Sequence, residues 1–378
     1  MHKLGMKQYI TILLTLLIIT SCKQTQQITD AITKPTAKTV FERSFKGNDS
    51  VFQDYEARYH KALNNTLQLE LPTVIQLKSD TSGFKILAYT LDLKQGERLK
   101  IETDDNTDSL QLVLDMFTLN TNAISSKKPV ISNTTESNSI SFKVTSTNQY
   151  KFVMIPNGTV RKNFSIKLYT VPTLAFPVSG KDNKAVQSFW GAVRSGGKRS
   201  HEGIDIFAKR GTPVVASTNG FITDTGNRGL GGKQVWLRDG IFGSSLYYAH
   251  LDSIAVSRGN KVNVGDTLGF VGNTGNAKTT SPHLHFGIYT NAGAVDPYPF
   301  IKLTEQIEFK KGALIDVGKT RLQKNELRIS PDTKSQKRTD LPINTQVNIV
   351  AKTNRWYHTR VQDTLEGFIH ESLIQTAQ

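Results

Sequence analysis

Apolar and polar positions alternate with a short period along most of this chain. Asn48-Asp49-Ser50 offers helix N-caps, and Phe52, Tyr55, Tyr59 and Leu63 follow at helical spacing, so the pattern predicts a short amphipathic helix there. From residue 67 to residue 168 the period drops to two. Phe84, Ile86 and Ala88 alternate, as do Leu99 and Ile101, and Leu112, Leu114 and Met116. Phe142/Val144, Phe152/Met154 and Phe164/Ile166/Leu168 continue the pattern, with polar turn clusters at 103–108 and 132–139 between them. Short strands at this spacing predict a β-sandwich.

A proline-bracketed hinge, Thr170-Val171-Pro172 to Phe176-Pro177, leads into residues 177–300. This stretch is rich in Gly and in short Val/Ile/Leu/Phe runs, as hairpin-linked strands are. Gly265-Asp266, Gly269, Gly272-Asn273-Thr274-Gly275-Asn276 and 229–232 read as turns. Asp296-Pro297 and Tyr298-Pro299 mark the exit. Residues 301–318 read as a connector. Glu326-Leu327-Arg328, residues 346–350, Arg355-Trp356-Tyr357-His358 and Glu366-Gly367-Phe368-Ile369 then form a last set of short strands that suits a small barrel. The fold class expected is mainly β.

Composition refines this division. A chain of 378 residues is too long for one ordinary core, and two or three domains are expected. The formal net charge of +15 is dispersed, with no long basic block, so nucleic acid is not the partner read here. A basic surface outside the cytoplasm would instead be drawn to anionic wall polymers or lipid head groups. The one cysteine, Cys22, excludes an intramolecular disulfide. Lys3 and Lys7 precede an apolar run at 9–19 that is too short to span a bilayer, which marks an export signal. The ending Ile19-Thr20-Ser21-Cys22 resembles the bacterial lipobox, which implies cleavage before Cys22 and a lipid on it. Residues 1–21 are then signal peptide, and the Thr/Gln/Lys-rich stretch 22–45 a flexible tether. The expected location is the cell envelope, with the lipid in the outer membrane and the chain facing the periplasm.

The chemistry concentrates between His201 and His285. Four of the chain's eight histidines lie there, at His201, His250, His283 and His285, with Asp205 four residues after the first. Zinc in hydrolases takes three protein ligands and leaves one position for water. Five ligand-type groups therefore leave two for proton work. His283 and His285, two apart on a strand, share a face, while Leu284, Phe286 and Ile288 would face a core. His250 ends a second strand, 246–250. A competing reading takes His201-Glu202-Gly203-Ile204-Asp205 as H-E-x-x-D on a helix, with Glu202 as base. Gly203 would cost such a helix roughly 1 kcal/mol, and Ile204-Asp205-Ile206-Phe207 prefers a strand. In the β reading His201 sits on a loop, Asp205 on the next strand, and Glu202 faces solvent. His60 stands apart from this group and reads as a surface or packing residue; His358 and His370 read as surface residues.

His201-x-Gly203-x-Asp205, Gly211-Thr212-Pro213-Val214, Tyr248-Ala249-His250-Leu251 and His283-Leu284-His285 resemble, in order, the lysostaphin/LytM-type zinc endopeptidases, bacterial enzymes that cut peptidoglycan peptides. The resemblance covers about residues 176–298. It implies one Zn2+ per chain held by His201, Asp205 and His285, with His250 and His283 as the catalytic pair. His250 would hold or remove the water proton and His283 would donate to the oxyanion. Phe189-Trp190-Gly191-Ala192-Val193-Arg194 replaces the commoner Phe-Gly-x-Arg opening and, with the following Ser195-Gly196-Gly197-Lys198 loop, is expected to alter the groove wall. Residues 273–281 can line the cleft.

Two weaker resemblances flank this domain. The layout before residue 170 is similar to bacterial pre-peptidase β-sandwich modules, and the closing segment resembles bacterial SH3-type domains that bind cell wall. The expected organisation is a sandwich at 46–170, an antiparallel metallopeptidase domain at 171–300, a connector at 301–318 and an SH3-like barrel at 319–378. The expected function is zinc-dependent hydrolysis of peptidoglycan stem peptides or cross-links. Partners are peptidoglycan and, through the lipid, a membrane; the sequence does not fix an oligomeric state. A non-catalytic wall-binding lipoprotein or hydrolase activator, and a zinc peptidase acting on proteins, are the alternatives.

Overall fold

In the computed structural model residues 26 and 28–376 are described, apart from 82–84, 106, 108, 121–122, 127, 198, 241–242, 313 and 363–364. The expected signal, Cys22 and Phe84 lie outside the described residues. The chain is mainly β, in antiparallel sheets.

The predicted helix forms at Asp49–Leu63, capped by the Asn48 side chain accepting from the Val51 N–H. It buries Tyr55, Tyr59, Ala62 and Leu63 on the outer face of a sheet whose central strands are Leu87–Leu93, Asn148–Gly158 and Leu110–Asn120. The other face of that sheet packs against Thr73–Lys78, Asn163–Pro172, Glu97–Thr103 and Ile140–Lys143. The alternating apolar positions meet between the two layers: Leu99, Ile101, Leu112, Leu114, Met116, Phe152, Met154, Ile166 and Leu168 all lie in one core. The structure departs from the tether expected at 22–45: residues 28–33 are helical as well as the second half. Ala37–Arg43 is helical, and Phe41 and Phe45 pack their rings on Tyr55 with centroids 5.5 and 5.1 Å away. Burying two aromatic side chains outweighs the polar composition around them.

The C-terminal strands do not stand apart. Leu327, Leu341, Val347, Ile349, Val361 and Ile369 make a small core of their own. Yet Gln346–Thr353 pairs antiparallel with Thr73–Lys78, aligning Ile75 with Thr353 and Leu77 with Ala351. The sheet thus continues from the first module into the last, and Val350, Ala351, Trp356 and Phe368 join the N-terminal core. The Thr73 and Thr353 hydroxyls bond at 2.6 Å, and Asp316 accepts from both Lys78 and Arg161. His358, expected at the surface, is 1% exposed and bonded through Nδ1 to the Tyr89 hydroxyl at 2.9 Å. Trp356 and His358 share the face of their strand that meets the N-terminal sheet, a neighbour nearly 270 residues upstream. His60 is exposed. His370 is half-buried, caps the turn Glu371–Leu373 and sets its ring against Trp356.

The central domain is inserted between these two modules. One sheet runs Val186–Ser188, Ile204–Phe207, His283–Thr290, Ser245–Leu251, Gly232–Arg238, Gly220–Arg228 and Lys261–Val262. A three-stranded sheet of Pro213–Val215, Thr267–Phe270 and Ser253–Ile254 lies beside it, and one apolar core includes residues of both. The domain meets the sandwich where Gly96, at φ +97, lies against the Phe300 ring; a Cβ there would come within 2.3 Å of it.

Candidate metal centre and cleft

Three neighbouring strands build the site. His283–Thr290 lies between Ile204–Phe207 and Ser245–Leu251, pairing Asp205 with His285 and Ala249 with His285. Leu284, Phe286 and Ile288 point to the core and are fully buried, each stabilising the sheet by about 1.5–3 kcal/mol. The alternation that buries them sends His283 and His285 to the opposite face. His201 stands on the loop before Ile204, and Asp205 on the strand itself. The helical reading of 201–205 is thereby excluded. Gly203 has a packing reason: a Cβ there would lie 2.6 Å from His285 Cε1 and 2.7 Å from the Phe286 carbonyl. Glu202 is exposed, as the β reading expects.

The geometry sorts the five groups. His201 Nε2, His285 Nδ1 and Asp205 Oδ1 form a triangle with edges of 3.0, 3.0 and 3.1 Å. Ligand atoms about 2.0–2.2 Å from a tetrahedral zinc stand a little over 3 Å apart, so the triangle fits one face of such a site. The donor set agrees. His201 Nδ1 donates to the Phe189 carbonyl at 3.0 Å, which leaves the Nε2 lone pair facing the carboxylate. Two acceptors at 3.1 Å repel unless a cation or a proton lies between them. Burial by itself would raise the Asp205 carboxyl, but His201 and His285 beside it hold it far below the usual carboxylate range. Burial also pushes His285 down, against the pull of Asp205. A carboxylate and neutral imidazoles are the protonation states that bind a metal.

His250 and His283 stand beside this triangle. Their ring centroids are 5.1 Å apart, and that of His250 is 5.8 Å from that of His285. His250 donates from Nδ1 to the Thr274 carbonyl at 2.9 Å and His283 from Nδ1 to the Ser281 carbonyl at 2.8 Å, leaving Nε2 of each ring without that proton. His283 Nε2 is 4.0 Å from Asp205 Oδ1. Burial, with His285 and His283 beside it, pushes His250 down to about 4. The His250 backbone is held at φ +62, a strained conformation for a non-glycine residue, and its N–H bonds the Gly231 carbonyl at 2.8 Å.

The five groups open into a cleft of about 770 Å3. Among the described residues its lining comes only from positions 188–289, so neither flanking module reaches into it. Leu230 and Gly231 line it with Asn276, Ala277 and Thr280, which puts part of the 273–281 loop at the cleft as expected. Arg194, Arg199 and Ser200, on the hairpin of Val193–Arg194 and Arg199–Ser200, line it as well. Tyr247 and Tyr289 also line the cleft; they carry no motif that singles them out in the sequence. Arg194 lies in the stretch expected at the groove wall, but its contact with Asp205 was not read, because it needs the hairpin to fold back.

The peptidase family M23 model matches residues 199–297. L-Ala–D-Glu endopeptidase of Bacillus subtilis (strain 168) is 36% identical over 149 residues, covering 36% of this chain and 45% of that protein. DD-carboxypeptidase/endopeptidase Mpg of Neisseria meningitidis serogroup B (strain ATCC 13091 / M2091) is 43% identical over 99 residues, covering 26% and 22%. The solved catalytic domain of the antimicrobial peptidase lysostaphin from Staphylococcus simulans is 34% identical, covers 30% of this chain and 89% of that one, and has a TM-score of 0.28. The chain spans less than half the length of the curated relatives it matches.

Proposed function

We propose that this chain, whose residues 199–297 are a peptidase family M23 domain, is a zinc endopeptidase that hydrolyses peptide bonds in the stem peptides or cross-links of peptidoglycan. The single observation that carries the reading is the closed triangle of His201 Nε2, Asp205 Oδ1 and His285 Nδ1 with two further imidazoles on the same open cleft. The names of the relatives supply the substrate class.

The three ligands would hold the ion, with two neutral imidazoles and one carboxylate leaving a net positive centre. Zinc bound there supplies a Lewis acid that brings the pKa of a bound water from about 15.7 to roughly 7. His250 is neutral near pH 7 because burial pushes it down to about 4, so its Nε2 can accept the water proton. The Thr274 carbonyl fixes the ring for that task. His283, held from the other side by the Ser281 carbonyl, donates from Nε2 to the substrate oxygen when the ring carries both protons.

The same reading puts the chain at the cell envelope through a lipid on Cys22, with the C-terminal module contacting the wall. Cys22→Ser would then move the protein from the membrane fraction to the soluble one. The activity is tested by metal analysis of the purified protein and by mass spectrometry of muropeptides after digestion with the wild type and with His283→Ala. One zinc per chain and new peptide ends made only by the wild type are expected. A metal-loaded protein that releases no muropeptide would overturn the substrate assignment.

A further inference from the structure

Arg194 contacts the ligand set named above through Asp205. Its Nη2 donates to Asp205 Oδ2 at 2.7 Å and to Ser188 Oγ at 2.5 Å, and lies 3.1 Å from His201 Nδ1. Asp205 therefore divides its oxygens. Oδ1 faces His201 and His285, and Oδ2 is taken by the guanidinium. The residue is not on the main sheet. It sits on the separate two-stranded hairpin Val193–Arg194 and Arg199–Ser200, whose turn uses Gly196 and Gly197 in the left-handed region. Backbone bonds join the segments: His201 N–H to the Ala192 carbonyl at 2.9 Å and Gly191 N–H to the His201 carbonyl at 3.0 Å.

We infer that Arg194 is a positioning residue for the metal: it occupies Asp205 Oδ2 so that the carboxylate offers the ion Oδ1 alone. This rests on the metal-site reading above. A free carboxylate can chelate through both oxygens, which raises the coordination number and fills the position a water or a substrate carbonyl needs. A planar guanidinium on Oδ2 prevents that rotation, and its charge offsets the cost of a buried anion. Ser188 Oγ accepts from the same Nη2. Lysine cannot reproduce this. Its ammonium is a point charge on a flexible stem and lacks the rigid planar group that fixes Arg194 Nη2 between Asp205 and Ser188.

The test uses the full-length protein and reads metal binding, independently of turnover. Zinc affinity is measured by competition with a chromophoric chelator for wild type, Arg194→Met and Arg194→Lys, and each is loaded with cobalt(II) for its visible spectrum. The wild type should bind one equivalent with the intense bands of four-coordinate cobalt. Arg194→Met should bind roughly 10–100-fold more weakly, with weaker bands that mark a higher coordination number, and Arg194→Lys should fall between. The melting midpoint of the metal-free variants separates this from general unfolding, and Arg194→Lys preserves the charge if Arg194→Met does not fold. Equal affinity and an unchanged spectrum in a folded variant would overturn the inference, as would tighter binding, which would make Arg194 a competitor of the ion. A wild type that binds no metal overturns the metal-site reading itself.

Discussion

Two buried histidine environments in this molecule differ in what surrounds them. In the cleft, His201 Nε2, His285 Nδ1 and Asp205 Oδ1 crowd to within 3.1 Å, a group of ligand atoms that could hold a metal ion. At the seam between the first and last modules, His358 stands among the groups of a folded core. Nδ1 meets the Tyr89 hydroxyl, and Nε2 lies 3.7 Å from Glu366, itself bonded to Arg360. Burial pushes His358 down too. Burial and a lowered pKa are thus common to both; convergence of lone pairs on one point belongs to the cleft alone.

The largest effect that sharpens this contrast comes from the ligand set. His201→Ala, Asp205→Ala and His285→Ala should each drop the metal content from one per chain to near zero. His250→Ala and His283→Ala should keep the metal and slow turnover by roughly 10²–10⁴-fold. Metal analysis beside single-substrate kinetics checks both, and loss of metal from His250→Ala or His283→Ala would erase the division of roles. Next comes the seam. Trp356→Ala should cost about 3–5 kcal/mol of stability, read by denaturant unfolding, while the metal stoichiometry of the folded protein stays at one. A parallel loss of metal would show that the two regions are coupled.

A smaller effect is expected at Gly203. Its substitution by Ala puts a methyl 2.6 Å from His285 Cε1, so His285 must shift and zinc affinity should fall, measured by the same chelator competition. The smallest is the pH response of the seam. His358 is held below its ordinary 6.5 in the folded chain, so the unfolded chain binds more protons below that pH and stability declines as pH falls through 6.5. Glu366 adds to this lower down. Burial would raise it, but His358 and Arg360 bring it to about 2, so its contribution is present above 4.5 and is lost as pH falls towards 2. Melting midpoints from pH 7.5 to 5 should fall more steeply for the wild type than for His358→Phe.

The candidate site was largely legible before the fold was known. Its groups come in short, periodic contexts. His283 and His285 two apart on a strand, and Leu284 and Phe286 between and after them, fix a face without any tertiary contact. The strand over Ile204–Phe207 followed from β-branched and aromatic residues next to a glycine. The contact of Arg194 with Asp205 was not legible, because eleven positions and a hairpin separate the two, and nothing in the spacing marks the return. The helix Ala37–Arg43 was missed for a related reason. Thr/Gln/Lys composition describes a tether well until Phe41 and Phe45 find Tyr55.

Local period and side-chain chemistry in the sequence determined the β class, the helix at 49–63, the order of modules and the five groups of the cleft. These depend on neighbours two to four residues away, where covalent geometry sets which side chains share a face. Only the tertiary structure decided that the last module continues the first one's sheet, that His358 is interior, and that Arg194 takes one oxygen of Asp205. Each of those depends on surfaces brought together from distant parts of the chain. Which surfaces meet is set by the packing of whole sheets, and no single stretch of residues carries that information.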